Sequence, residues 1–426
     1  MLWTGDEFRG GSILIENGKI RKIGTTVPSA PRSINGRGLL ALPGLIDAHV
    51  HLRDMELSYK EDFTTGTSAA AAGGFTSLLD MPNSQPVVDS AERLRERMHV
   101  ASRGIVVNVG FHVAAVVRPD MLNAMARLGA FSLKLYMPRP ISPLAVDSDN
   151  EVLAMMREAA KEHVPVTVHA EESILIRDPS TTKTWLGLAR TRPDEAESKA
   201  VRRMLRLQTL SGCSIHFAHI TLPSSLRQIW SRHSAQASSE VTPHHLLLSE
   251  LDLKRLEWKA WMVPPLRTQV MAQKLLSATS QGKATLIASD HAPHSIQEKT
   301  AGLHKVLPGI PGLETTLPLL MTLVHRGKLS MKRMIDMLTI VPARRFRIAA
   351  KGRLRKGADG DVVLVNPKVV SKINPRMFFS KAKYSPFEGF ETRGKVEKTI
   401  VGGEVVFDDG RIVAPVGTGR ILKRAR

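Results

Sequence analysis

Eight apolar runs of strand length recur through the middle of the chain, each separated from the next by a longer stretch. They are Leu45 to His51, Thr76 to Asp80, Val106 to His112, Phe131 to Tyr136, Val164 to Ala170, Ser214 to Ile220, Ala235 to Thr242 and Ala284 to Asp290. Between them, Arg93 to Arg103, Glu151 to His163 and Glu195 to Ser211 carry the 3.6-residue apolar spacing of amphipathic helices. Eight β–α units within about 300 residues predict an α/β protein built on a (β/α)8 barrel.

Both chain ends have a different rhythm. Ser12 to Glu16 alternates polar and apolar, Asn17-Gly18 is a hairpin turn signal, and Lys19 to Ile23 alternates again. Asp361 to Val365, Val396 to Val401 and Glu404 to Phe407 are strand-like, with a second turn signal at Asp409-Gly410. Isolated hairpins are marginal alone, so the two ends are expected to pair into one small β-sandwich. The expected division is 1–43 for the first part of the sandwich, 44–352 for the barrel, and 353–426 for the second part and a C-terminal tail.

With 426 residues, 42% of them hydrophobic, the chain has ample material for a large core. No apolar run approaches the ~20 residues that span a bilayer, and Met1 to Gly10 does not read as a signal peptide. A single cysteine, Cys213, excludes an internal disulfide. A cytoplasmic location is expected, with no membrane partner. Sixty basic against forty acidic residues give a net charge of +20. The basic residues are scattered over the chain and accompany no nucleic-acid motif, so no nucleic-acid partner is expected. The dense segment Arg420 to Arg426 reads as a solvated tail.

The chemistry-bearing residues fall where barrel strands end. Side chains alternate along a strand, so His49, His51 and Arg53 share one face, with Ala48, Val50 and Leu52 on the other. Two imidazoles so spaced can grip one metal, although such a pair taken alone is more often structural than ligating. Lys134 follows Ser132 on the face toward the barrel axis, where a lysine is costly unless paired or modified. His169 and His219 each end a strand, and by the same alternation His216 points outward as a structural histidine. Asp290 ends the eighth run and is followed by His291-Ala-Pro-His294. Each is unremarkable alone. Together they gather at the C-terminal strand ends, where barrel enzymes keep their chemistry. Nitrogen and oxygen ligands suit zinc.

The segments PGLIDAHVHLR (43–53), YKEDF (59–63), AAAAGGFTSLLDMPN (69–83), LKLYMP (133–138), VHAE (168–171), EVTPHHLLLS (240–249), ASDHAPH (288–294), PGLETTLPLL (311–320) and FSKAKYSPFEG (379–389) resemble the amidohydrolase superfamily. Within it they resemble the dihydroorotases of class I type, over nearly the whole chain. The resemblance implies a zinc-dependent cyclic amide hydrolase that reversibly cyclises N-carbamoyl-L-aspartate to L-dihydroorotate in pyrimidine biosynthesis. It implies two zinc ions bridged by carboxylated Lys134 and hydroxide. His49, His51 and Asp290 would hold one ion, and His169 and His219 the other. Asp290 would also be the catalytic acid/base. Arg53, Asn83 and His294 would bind the substrate carboxylate, the guanidinium offering a planar fork that matches it. A homodimer, or association with aspartate transcarbamoylase, is the expected assembly.

The chain departs from that pattern at Met55-Glu56, where proline and glycine are usual, and at Ala218, where some relatives carry a cysteine beside a third metal. Glu240 is retained, but no third metal is expected. Met137-Pro-Arg-Pro-Ile141 replaces a flexible lid, and its prolines are expected to stiffen it. Val263 stands where many relatives are polar. The alternatives are a hydrolase of dihydropyrimidines, hydantoins or allantoin, and a barrel serving only as a scaffold.

Overall fold

The computed structural model describes residues 1–116, 118–139, 142, 148–232 and 236–425. Each of the eight apolar runs contains a strand. They are Leu45–Val50, Phe75–Asp80, Asn108–Phe111 continuing as Val113–Ala114, Leu133–Tyr136, Val166–His169, Ile215–Phe217, Ala237–Val241 and Leu286–Ile287. Successive strands pair in parallel. The cylinder closes where Val50 bridges His291 and the His51 amide donates to the His291 carbonyl at 2.8 Å. A helix follows every strand: Phe63–Ala72, Ala91–Gly104, Pro119–Leu128, Asp149–Lys161, Asp194–Ser211, Pro223–Trp230, Gln269–Ser280 and Leu313–His325. The fold is a (β/α)8 barrel.

Local chemistry sets these helices. Ser148 and Glu151 form a reciprocal capping box at the start of Asp149–Lys161. Its buried Val152, Met155, Met156 and Ala159 lie at i, i+3, i+4 and i+7, a single face toward the strands. Asp194–Ser211 has three acidic residues in its first turn, favourable to the helix dipole, and ends at Gly212 in the left-handed region.

Inside the barrel, Ile46, Ala48, Leu79, Phe131, Leu286, Ala288 and Phe346 form a closed apolar floor beneath the site. Gly110 makes room for it: a Cβ there would meet the Phe131 ring at 2.3 Å. Ala48 therefore points inward, against the expected alternation. The pairing register with the second strand slips between Asp47 and Val50. One extra residue reverses the phase of the strand, so Ile46 and Ala48 face the floor while His49 still reaches the site above.

The two ends of the chain combine in one seven-stranded sheet. Its order is Arg411–Ile412, Glu404–Asp408, Glu391–Val401, Val362–Lys372, Leu40–Pro43, Leu2–Trp3 and Phe8–Arg9. The hairpin Ser12–Glu16/Lys19–Gly24 turns at Asn17-Gly18, both with positive φ. It lays Ile13, Ile15 and Ile23 over Leu2, Ala41, Val362, Leu364 and Ile400. These isoleucines are partly buried, so each contributes less than the about 1.5–3 kcal/mol of a fully buried apolar side chain, and together they hold this second layer on the sheet as a small sandwich. The segment after it is not a solvated tail. Ile421 bridges Val109, Leu422 packs on the barrel floor, and the Arg424 and Ala425 amides donate to the Gly129 and Arg347 carbonyls. Its apolar residues seat it against the lower end of the barrel, while Arg420 and Lys423 stay exposed. Among the described residues no helix is long and apolar enough to cross a membrane.

Candidate active site

At the opposite, C-terminal mouth, His49, His51, Lys134, His169, His219 and Asp290 converge from five strands. All are buried except half-buried His51. Asp290 Oδ1 lies 3.1 Å from His51 Nε2 and 3.4 Å from His49 Nε2. His169 Nδ1 lies 3.0 Å from His219 Nε2. The His49 ring sits 5.3 Å from those of His51 and His219, which joins the two groups. Candidate ligand atoms of His49, His219 and Asp290 fall within 4.8 Å of one another.

The outer nitrogens of three of these rings are already committed. His49 Nδ1 donates to Glu240. His51 Nδ1 donates to Asn83 Oδ1 at 2.6 Å, and His169 Nε2 to Glu171 Oε2 at 2.6 Å. Each bond fixes a tautomer whose free lone pair points into the cluster, the arrangement that metal-binding histidines use. Lone pairs of imidazole then face each other, and face a carboxylate oxygen, at about hydrogen-bond distance. A cation between them satisfies all of these acceptors at once. Two further buried atoms, Lys134 Nζ and His219 Nδ1, have no hydrogen-bond partner among the described residues. The donor set therefore fits a divalent metal centre of nitrogen and oxygen ligands.

The electrostatics favour the ligand forms. Burial pushes His51 and His169 down to about 4, and His219 well below the usual imidazole range. Burial alone would raise the Asp290 carboxyl, but the neighbouring His49 and His51 outweigh it and hold it ionised. Burial lowers Lys134 to about 8, which increases the share of free amine at neutral pH.

Backbone strain marks the same places. Arg53, His219 and Asp290 all have positive φ, at 55°, 31° and 47°, and Asp54 and Met55 continue the left-handed run. Such residues cost about 1–3 kcal/mol each and persist only where surroundings hold them. Around Arg53, Asp54 accepts the Phe63 amide at 2.7 Å, and Asp80 accepts the Leu52 amide at 2.8 Å. Asp80 is itself clamped by the fully buried Arg97 at 2.7 and 2.9 Å.

Beside the cluster lies a basic recess. Arg53 is buried, donates through Nε to the Pro293 carbonyl at 3.2 Å, and lies 3.3 Å from His294 Nε2. Asp290, Asp80 and Glu298 act on it through space, yet none forms an ion pair with it among the described residues. Lys60 is 3.4 Å from His294 Nδ1 and pairs with Glu298 at 2.8 Å. A buried guanidinium with spare donors and no carboxylate is a site for an anion. Asn83 is half-buried beside the cluster, its oxygen on His51.

Sequence reasoning missed Glu240 and misplaced His216. Ile215 and Phe217 pack toward the helices, and His216 turns inward, donating to Glu240 at 3.0 Å and meeting Ser238 at 2.8 Å. The phase is reversed because His219 lies beyond the strand, where its left-handed backbone swings it back into the cluster. Glu240, fully buried, also accepts the His219 amide at 3.2 Å. A glutamate one strand away, on the face that alternation assigns to the barrel axis, was the available signal. Glu171 is held in turn by Arg192 at 2.7 Å. Of the segment expected to be stiffened by proline, Pro140 and Ile141 lie outside the described residues.

A cylinder of eight β–α units with a histidine, lysine and aspartate cluster at its mouth defines a metal-dependent barrel hydrolase. The chain belongs to the amidohydrolase family, whose model matches residues 40–406. It is 36% identical over 420 residues to a dihydroorotase of Methanothermobacter thermautotrophicus, covering 96% of this chain and 94% of that protein. It is 35% identical to a dihydroorotase of Bacillus cytotoxicus, covering 93% and 94%. Among solved structures it is similar to the L-hydantoinase (dihydropyrimidinase) of Arthrobacter aurescens. That match has a TM-score of 0.95 and 27% identity over 99% of this chain and 98% of that one. A dihydropyrimidinase of Brevibacillus agri matches with a TM-score of 0.92 and 26% identity over 100% and 97%.

Proposed function

We propose that this chain is a dihydroorotase, interconverting L-dihydroorotate and N-carbamoyl-L-aspartate. The observation that carries this is Arg53: a buried, unpaired guanidinium at the rim of the metal-ligand cluster calls for a substrate with a carboxylate beside the scissile amide. The curated relatives support the same substrate. The likeness in shape to hydantoinases favours a second reading, a hydrolase of neutral cyclic amides, but such substrates leave Arg53 without a counter-charge.

His49, His51 and Asp290 would hold one zinc ion, His169 and His219 a second, and Lys134, carboxylated on Nζ by CO2, would bridge them. When bound, the metals supply a water acidified toward neutrality and a Lewis acid for the amide carbonyl. The chain's own residues do the rest. Arg53 fixes the ring by its carboxylate, His294 forms the wall beside it, Asn83 adds an amide donor, and this orientation converts binding into rate. Glu240, Asn83 and Glu171 keep the imidazoles in the tautomers that face inward. Asp290 takes a proton from the attacking water and delivers it to the ring nitrogen as the C–N bond breaks. In the biosynthetic direction it removes a proton from the ureido nitrogen as that nitrogen attacks the carboxylic acid carbon, and returns it to the hydroxyl that leaves as water.

Purified protein given zinc and bicarbonate is expected to open the ring of L-dihydroorotate, followed by ultraviolet absorbance, and to lose this activity to a chelator. Turnover of hydantoin or dihydrouracil with none of dihydroorotate would overturn the assignment in favour of the second reading.

A further inference from the structure

Behind the basic recess sits a second buried cation that the reaction as described leaves unused. Lys299 is fully buried at the end of the short helix Ile296–Lys299. Its Nζ donates to three backbone carbonyls: Trp261 at 3.0 Å, Leu307 at 3.1 Å and Gly309 at 3.0 Å. An ammonium has three protons and no acceptor, so three carbonyls saturate it. Burial lowers its pKa to about 7, but a neutral amine here would turn its lone pair on a carbonyl oxygen. The geometry therefore holds the charged form. No carboxylate compensates that charge among the described residues.

The carbonyls it gathers belong to the wall of the recess. Pro308, between two of them, accepts from His294 Nε2 at 3.0 Å. Gly309, at φ 153°, lies so close to His294 that a Cβ would come within 3.0 Å of its ring and 2.2 Å of the Ala292 carbonyl. The Gly309 amide donates to the same Trp261 carbonyl that Lys299 holds. Tyr384 ties the segment from the other side: its hydroxyl donates to the Gly309 carbonyl at 3.4 Å and accepts the His294 amide at 3.3 Å. The charges of Arg53, Lys60 and Lys299 all bear on the His294 ring.

We propose that Lys299 is a positioning residue of the carboxylate recess. It clamps the 307–309 segment that orients His294, and it adds a buried positive charge that an anionic substrate neutralises. This rests on the dihydroorotase assignment and deepens it. A knot serving only the fold would leave substrate affinity untouched once the protein is folded.

The test is steady-state kinetics of the zinc-loaded enzyme with L-dihydroorotate, comparing wild type with Lys299→Gln and Tyr384→Phe. Loss of a hydrogen-bonded charge is expected to raise KM about tenfold in Lys299→Gln, and loss of one hydroxyl about threefold in Tyr384→Phe, with kcat changed less than about twofold in both. A folded Lys299→Gln with unchanged KM, or with kcat reduced at unchanged KM, overturns the proposal. Should Lys299→Gln fail to fold, Tyr384→Phe decides, because its ring still fills the same space; an unchanged KM then overturns the proposal. Wild type inert toward L-dihydroorotate refutes the dihydroorotase assignment itself, and this role with it. Active wild type with unaffected variants refutes the positioning role alone.

Discussion

Replacing Glu240 by glutamine isolates the residue that holds the cluster together from below. The carboxylate accepts from His49 Nδ1, from His216 Nε2 at 3.0 Å and from the His219 amide at 3.2 Å, and it is fully buried. Glutamine keeps the shape but offers one acceptor oxygen and two donor protons. If its oxygen faces His49, its NH2 faces His216, whose other nitrogen already meets Ser238 at 2.8 Å. His216 can answer only by moving its proton to the nitrogen that meets Ser238, so the arrangement survives with His49 donating to a neutral amide oxygen in place of a carboxylate. A charge-assisted bond of this kind is worth about 1.5–3 kcal/mol, and weakening the outer bond of a metal-binding histidine costs about 10- to 100-fold in metal affinity. Zinc affinity of Glu240→Gln, measured by competition with a chromophoric chelator, is expected to fall by about that factor with the circular dichroism spectrum unchanged. A folded variant binding zinc as wild type does would refute the claim that Glu240 sets the His49 lone pair.

Three further outcomes follow from the same geometry. Asp290→Ala should keep the fold and lose about 10²- to 10⁴-fold in kcat; near-normal turnover would remove Asp290 from the proton path. Arg53→Lys replaces a fork by a point charge and should raise KM for L-dihydroorotate by about 10- to 100-fold, whereas unchanged affinity would take Arg53 out of the carboxylate recess. Burial pushes His112 down to about 3 and His245 down to about 4 from an ordinary 6.5. Below 6.5 the unfolded chain binds more protons than the folded one at both positions, so their stabilisation is complete above 6.5 and is lost as pH falls through about 4 and then about 3. The midpoint of thermal unfolding of metal-free protein should therefore drop steadily from pH 6.5 to pH 4; a flat profile would contradict it.

The barrel was legible because most of its strands are short runs rich in apolar residues, and because helical spacing separates them. The turns at Asn17-Gly18 and Asp409-Gly410 were legible because only a few residues tolerate their positive φ. Side-chain direction was less so. Strict alternation fails at the slip between Asp47 and Val50, and again at His219, which lies past the strand in a left-handed conformation. Neither irregularity has a glycine or proline to announce it. The residues of the candidate metal-ligand cluster stand out as histidines, an aspartate and a lysine at strand ends. Their supports, Glu240, Glu171 with Arg192, and Lys299, are ordinary charged residues whose meaning depends on partners far away in sequence. The terminal segment around Ile421 and Leu422 was hidden by its charges, since the two apolar residues that seat it are flanked by arginine and lysine.

The most direct measurement is the ratio of kcat/KM for L-dihydroorotate to that for dihydrouracil, which lacks the carboxylate, on one preparation of zinc-loaded protein. A ratio of about 10² or more is expected, because the uncharged ring leaves the buried Arg53 unpaired and forfeits its orientation. A ratio near one, or a preference for dihydrouracil, would contradict a carboxylate-reading active site and return the chain to the hydrolases of neutral cyclic amides.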